Sequence, residues 1–145
     1  MKRKQSAFTL LEVLVTMVVV GLGLLGQAAL MAQSSKSNNS AYYHTQASLL
    51  ASDYLERMRM NQTSAMAGGY DITITTTVPT STTTLQDFEK HDWLTNVDSM
   101  LPGWQATVKT TTNNVVITLT WTELSKGANS SGGASTTTFI TNSTL

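Results

Sequence analysis

The sequence predicts an α+β chain, one long N-terminal α-helix packed on a C-terminal antiparallel β-sheet with a short second helix. Three observations carry this expectation. Residues 8–31 form a nearly unbroken apolar run. Ala47, Leu50, Ala51, Tyr54, Leu55 and Met58 recur at the spacing of one helix face. Three later segments alternate apolar and polar residues with the period of two that a half-buried strand requires.

The apolar run comes first. A bilayer core about 30 Å thick takes about 20 mostly apolar residues as a helix, and residues 8–31 meet that length. Lys2, Arg3 and Lys4 precede the run, so the short N-terminal flank is expected on the cytoplasmic side and the remainder across the membrane. Glu12 interrupts the run among Leu11, Val13 and Leu14. An ionised carboxylate at membrane depth costs at least about 2.5 kcal/mol unless something pairs with it. Two readings follow. Glu12 lies at the membrane edge and reaches head groups, or it meets a positive partner.

Residues 33–40 contain neither Gly nor Pro, so nothing forbids helix through them. With the stripe that starts near Tyr43, the spacing predicts one helix over residues 8–61, roughly 80 Å long at 1.5 Å per residue. Asp53 and Arg57 are spaced for an i,i+4 pair. Gly21, Gly23 and Gly26 allow close helix approach in lipid.

Gly68-Gly69 reads as a turn, and Tyr70-Asp71-Ile72-Thr73-Ile74 as a first strand. Residues 75–84 are a threonine-rich connection broken by Pro79. Thr83 with Gln86 fits a capping box. It opens a short helix carrying Leu85, Phe88, Leu94, Val97 and Leu101, which Pro102-Gly103 stops. Trp104, Ala106 and Val108 mark a second strand, and Val115, Ile117, Leu119 and Trp121 a third, with Asn113-Asn114 as the turn of the hairpin. Residues 126–135 read as a Gly/Ser/Asn loop, and residues 136–141 as a last strand around Phe139 and Ile140.

Composition narrows the function. The 145 residues carry nine basic and nine acidic side chains. Loss of residues 1–7 would leave six basic against nine acidic, with no Lys/Arg cluster to form a phosphate-binding stripe. Direct nucleic-acid binding is therefore not expected. There is no cysteine, so the domain is expected to hold by its core alone. His44 and His91 are far apart and read as solvated. Asp87, Glu89, Asp92 and Asp98 fit the polar face of a short helix and no EF-hand pattern. No nucleophile has an identifiable base. The three tryptophans read as core. An enzyme, a cofactor and a metal site are not expected.

The opening resembles the prepilin signal of the type IV pilin-like family: a basic leader, a small residue at the cut, then Phe8-Thr9-Leu10-Leu11-Glu12 at the start of an apolar helix. An ordinary secretory signal has a small-residue cleavage site after a shorter apolar core, and nothing of that kind follows Met31. The resemblance implies a type IV pilin fold, cleavage between Ala7 and Phe8 by a prepilin peptidase, and N-methylation of Phe8. It also implies that Glu12 meets the Phe8 amine of a neighbouring subunit during assembly. The family's usual residue before the cut is glycine. Ala7 departs from it, and slower cleavage is the most that this small side chain should cause.

Physical chemistry supports the implied pairing. A new ammonium at Phe8 and a carboxylate at Glu12 are each costly in an apolar fibre core, and removing one partner of such a pair costs about 3–5 kcal/mol.

Further elements resemble the minor pilins of that family. They are a glycine-containing, proline-free apolar helix, Arg57-Met58-Arg59-Met60-Asn61, a Trp93-Leu94 helix ending Leu101-Pro102-Gly103, and Val116 to Trp121. The resemblance divides the chain into a leader at 1–7, a membrane or fibre-core half-helix at 8–31, a soluble half-helix at 32–61 and a β-rich domain at 62–145. It implies an inner-membrane protein that joins other minor pilins and the major pilin through the inner-membrane assembly platform. Twitching motility, adhesion and DNA uptake are the processes it would serve. A minor pseudopilin of a type II secretion system shares the same opening, and a single-pass envelope binding protein with no assembly role is a third reading.

Overall fold

A computed structural model describes residues 9–80, 82–124 and 134–145. Helix α1 runs Leu10–Met60, α2 Gln62–Met66 and α3 Leu85–Met100, with strands β1 Ile72–Thr75, β2 Gln105–Thr111, β3 Asn114–Leu124 and β4 Ala134–Thr144. The strands form one antiparallel sheet in the order β1-β2-β3-β4. A long N-terminal helix followed by a four-stranded antiparallel sheet and short helices is the expected α+β, pilin-like arrangement.

The chain divides into two compact units, residues 1–38 and 39–145. In the first, α1 exposes its apolar side chains, among them Leu10, Leu14, Val19, Leu22 and Leu25. Thr16 keeps its hydroxyl satisfied inside the helix by donating to the Glu12 and Val13 carbonyls at 2.9 and 2.8 Å.

The second unit holds the core. Ala47, Leu50, Ala51, Tyr54, Leu55 and Met58 are all buried, the same six residues whose spacing predicted the stripe. They pack with Trp93, Leu94 and Val97 of α3 and with Ile72, Ala106, Val108, Val115, Ile117, Leu119 and Trp121 of the sheet. Polar anchors orient the packing. The Trp93 indole donates to the Leu50 carbonyl at 2.8 Å. Arg57 holds Asp53 at 3.0 Å on its own helix and Asp92 of α3 at 2.8 Å.

Several expectations are corrected. The helix ends at Met60, as expected near Asn61, but Gln62–Met66 adds a short helix that the sequence does not announce. The capping box of α3 is Thr84 with Asp87, one residue later than Thr83 with Gln86. Thr84 Oγ1 accepts from the Asp87 N–H at 3.1 Å, and Asp87 Oδ2 accepts from the Thr84 N–H at 3.3 Å. Gln86 instead donates across to Ser64 Oγ at 2.8 Å. A short acid at the third helical position does here what the longer amide was expected to do.

Leu85 and Phe88 are 60 % and 58 % exposed, so the buried stripe of α3 starts only at Trp93. Strand β1 begins at Ile72. Tyr70 is buried in the preceding turn, and a register shift between Ile72 and Thr75 leaves Ile74 exposed despite the alternation.

The β2–β3 turn is Thr112-Asn113, because Asn114 already pairs with Thr111. Strand β4 extends over Ala134–Thr144, beyond the predicted 136–141, and absorbs the end of the predicted 126–135 loop. Residues 126–133 of that loop lie outside the described residues.

Pro102-Gly103 turns α3 into β2. Gly103 has φ of 56°, and a Cβ there would meet Thr122 Oγ1 at 2.7 Å. The backbones approach closely at this point because the Thr122 N–H donates to the Pro102 carbonyl at 2.9 Å. Only glycine satisfies both demands.

Candidate functional site

The candidate site is the beginning of α1. Thr9 precedes the helix in non-helical conformation. Its carbonyl accepts from the N–H groups of Glu12 and Val13 at 3.0 and 3.3 Å, and its hydroxyl accepts from the Glu12 N–H at 3.3 Å. Thr9 is thus the N-cap and Glu12 the third helical residue. A helix start leaves four N–H groups without intrahelical partners, and the Thr9 side chain satisfies one of them.

Glu12 lies in the first turn and is exposed. A carboxylate there is favoured by the helix dipole by about 0.3–1 kcal/mol. Glu12 therefore has a local reason to occupy this position, in addition to any intermolecular one. The Thr-x-x-Glu spacing that signals it is visible in the sequence, but the apolar run drew attention to the charge rather than to the cap. Ala7 and Phe8, the expected cleavage and methylation positions, lie outside the described residues.

Beyond this turn, α1 has the length and composition to cross a membrane. The apolar side chains of that stretch are exposed along the helix, as suits a segment whose solvent is lipid or other helices rather than water.

The other side chains weighed from the sequence have structural partners. Asp87 caps α3. Glu89 accepts a hydrogen bond from the Tyr70 hydroxyl. Asp92 binds Arg57 at 2.8 Å. Asp98 accepts from the Trp104 indole at 2.6 Å. The four carboxylates of α3 thus serve four separate contacts. Among the described residues, no group of three or more His, Asp or Glu is arranged to hold a metal ion.

His44 is exposed, with its ring edge-on to Trp121 at 5.0 Å between centroids, and His91 is half-buried on α3. All three tryptophans are buried. The indole of Trp121 is completed by Glu123 at 2.7 Å.

Two tyrosines of the core have raised pKa values. Burial, with Tyr70 next in importance, raises the Tyr54 hydroxyl above the ordinary tyrosine range. This hydroxyl donates to the Tyr70 carbonyl at 2.7 Å. Burial and the hydrogen bond to Glu89 push Tyr70 up to about 12. The Tyr54 hydroxyl ties α1 to the turn before β1, and the Tyr70 hydroxyl ties that turn to α3.

Residues 2–26 match a family described as the prokaryotic N-terminal methylation motif. The matched span contains Ala7, Phe8, Thr9 and Glu12 together with most of the apolar run. It supports prepilin-type processing and a membrane-anchored, type IV pilin-like N-terminus. No curated protein and no solved structure matches the chain.

Proposed function

We propose that this chain is a minor pilin of the type IV pilus. A prepilin peptidase removes residues 1–7 by cutting between Ala7 and Phe8, and Phe8 is N-methylated. The chain then resides in the inner membrane through residues 8–31, with its C-terminal domain periplasmic. It leaves the bilayer through the inner-membrane assembly platform, joins other minor pilins and the major pilin, and helps initiate the fibre.

The observation that carries this reading is the methylation motif over residues 2–26, with Glu12 in the first turn of an otherwise apolar helix. In the assembled fibre the Glu12 carboxylate meets the Phe8 ammonium of a neighbour, which sets the axial register.

The type IV pilus modification protein PilV is the minor pilin this chain looks like. Arg57 in the Arg-Met-Arg-Met-Asn element ties α1 to α3 through Asp92 and is held on its own helix by Asp53. Leu101-Pro102-Gly103 makes the α3–β2 corner. Both elements thus have architectural roles that suit a shared subunit fold. The second reading, a minor pseudopilin of a type II secretion system, shares with the first the same opening and a proline-free α1 that is helical without a break from Leu10 to Met60.

Substitution at Glu12 tests the assembly role. Glu12→Val is expected to keep membrane insertion, because an apolar residue replaces a charge, and to keep leader cleavage. Glu12→Gln keeps the shape and removes only the charge. Both variants should be depleted from sheared pili while remaining in the membrane fraction. Wild-type amounts of both in sheared pili would return Glu12 to the role of a membrane-edge residue.

A further inference from the structure

Helix α1 has three stretches, and each is supported differently. Residues 10–31 are apolar and exposed along the helix, as suits lipid. In lipid a freed backbone N–H or C=O finds no water, so the helical hydrogen bonds hold even through Gly21, Gly23 and Gly26. From Ala47 onward the helix is held by the core, through Ala47, Leu50, Ala51, Tyr54, Leu55 and Met58. Between these two, residues 33–39 are polar and exposed on every side. Neither lipid nor a core supports them.

The middle stretch is also a poor helix former. Five of the six residues from Ser34 to Asn39 are serine or asparagine. Their side chains compete for nearby backbone groups and so disfavour a helix interior. Each weakens the helix by a factor of about two relative to alanine, and five together by about thirtyfold. Lys36 is the only Asp, Glu, Lys or Arg between Glu12 and Asp53, so no i,i+4 ion pair reinforces the stretch. The boundary between the two compact units falls here, after Asn38.

We propose that residues 34–39 are a hinge in α1. They are helical at rest, and they open locally to let the folded unit reorient while the apolar stretch stays in lipid. Local opening is easiest where backbone hydrogen bonds face water and buried contacts are few. Residues 34–39 meet both conditions. Residues 47–58 fail through their buried contacts, and the three glycines fail because their backbone faces lipid. The inference rests on the membrane anchoring of α1 and not on a role in a pilus.

The test uses the full chain in lipid vesicles, with co-flotation reading the anchoring separately. Amides of residues 34–39 should exchange hydrogen at least about a hundredfold faster than those of residues 50–58, after correction for intrinsic rates. The sequence has no cysteine, so spin labels can be placed at will. Gln27→Cys with Thr45→Cys puts two labels on exposed positions across the hinge, about 27 Å apart along an unbroken helix. Thr45→Cys with Met60→Cys, also exposed, is the control pair on one side of it. The pair across the hinge should give the broader distance distribution.

One variant closes the hinge. Ser34→Ala, Ser35→Ala, Ser37→Ala, Asn38→Ala and Asn39→Ala together should slow exchange at these positions by about thirtyfold. They should also narrow the 27–45 distribution to that of the control pair and leave exchange at residues 50–58 unchanged. Exchange at 34–39 as slow as in the core, a 27–45 distribution as narrow as the control, or an alanine variant that alters neither would each overturn the proposal. A chain that does not float with the vesicles would overturn the anchoring on which it stands.

Discussion

At Thr112 the chain holds a β-branched residue at φ of 56°, where such a residue is an outlier. The two-residue turn demands it, because Thr111 and Asn114 already pair on either side. Thr112→Gly should therefore stabilise the domain by about 1 kcal/mol through relief of that strain. Chemical denaturation of wild type and variant checks it, and a lower midpoint for the glycine variant would contradict it. This strain was not legible in the sequence, since Asn113-Asn114 is a stronger turn signal than Thr112-Asn113 and drew the turn one residue too far. Tyr70 gives a pH-dependent counterpart. Its folded pKa of about 12 lies above the unfolded value of about 10. The folded state then retains a proton that the unfolded state loses, so this contribution is complete below pH about 10 and is lost as pH rises toward about 12. Tyr70→Phe should flatten the fall in stability over that window, as read by denaturant midpoints across alkaline pH.

The elements were legible to the degree that each has one strong period. The stripe of α1 was read residue for residue because it is long and packs on one face. The hairpin of β2 and β3 was read because its buried residues alternate without a break. Strand β1 was legible only in part, since its register shift reverses the alternation that a sequence can show. Residues 85–88 of α3 misled because apolar residues at helical spacing do not reveal where the core ends. Trp121 sits where β3 meets α1, fully buried and edge-on to His44. Trp121→Ala should cost about 3–5 kcal/mol, measured by thermal or denaturant unfolding. An unchanged melting temperature would refute the packing assigned to β3.

At the scale of the whole molecule, the chain joins an N-terminal unit that exposes its apolar surface to a C-terminal unit that buries its own. The exposed apolar surface of the first suits lipid or other helices, and the second carries its own core. The candidate site lies at the start of the first unit, where the sequence was most informative, because a lone carboxylate in an apolar run is conspicuous without any structure. The Thr9 cap, by contrast, emerged only from geometry. The central claim is that residues 1–7 are a leader and Phe8 the mature N-terminus. Intact-mass measurement of the chain purified from pilus-producing cells tests it most directly. The mass should correspond to residues 8–145 with one added methyl group, and a mass that retains Met1 would contradict the account.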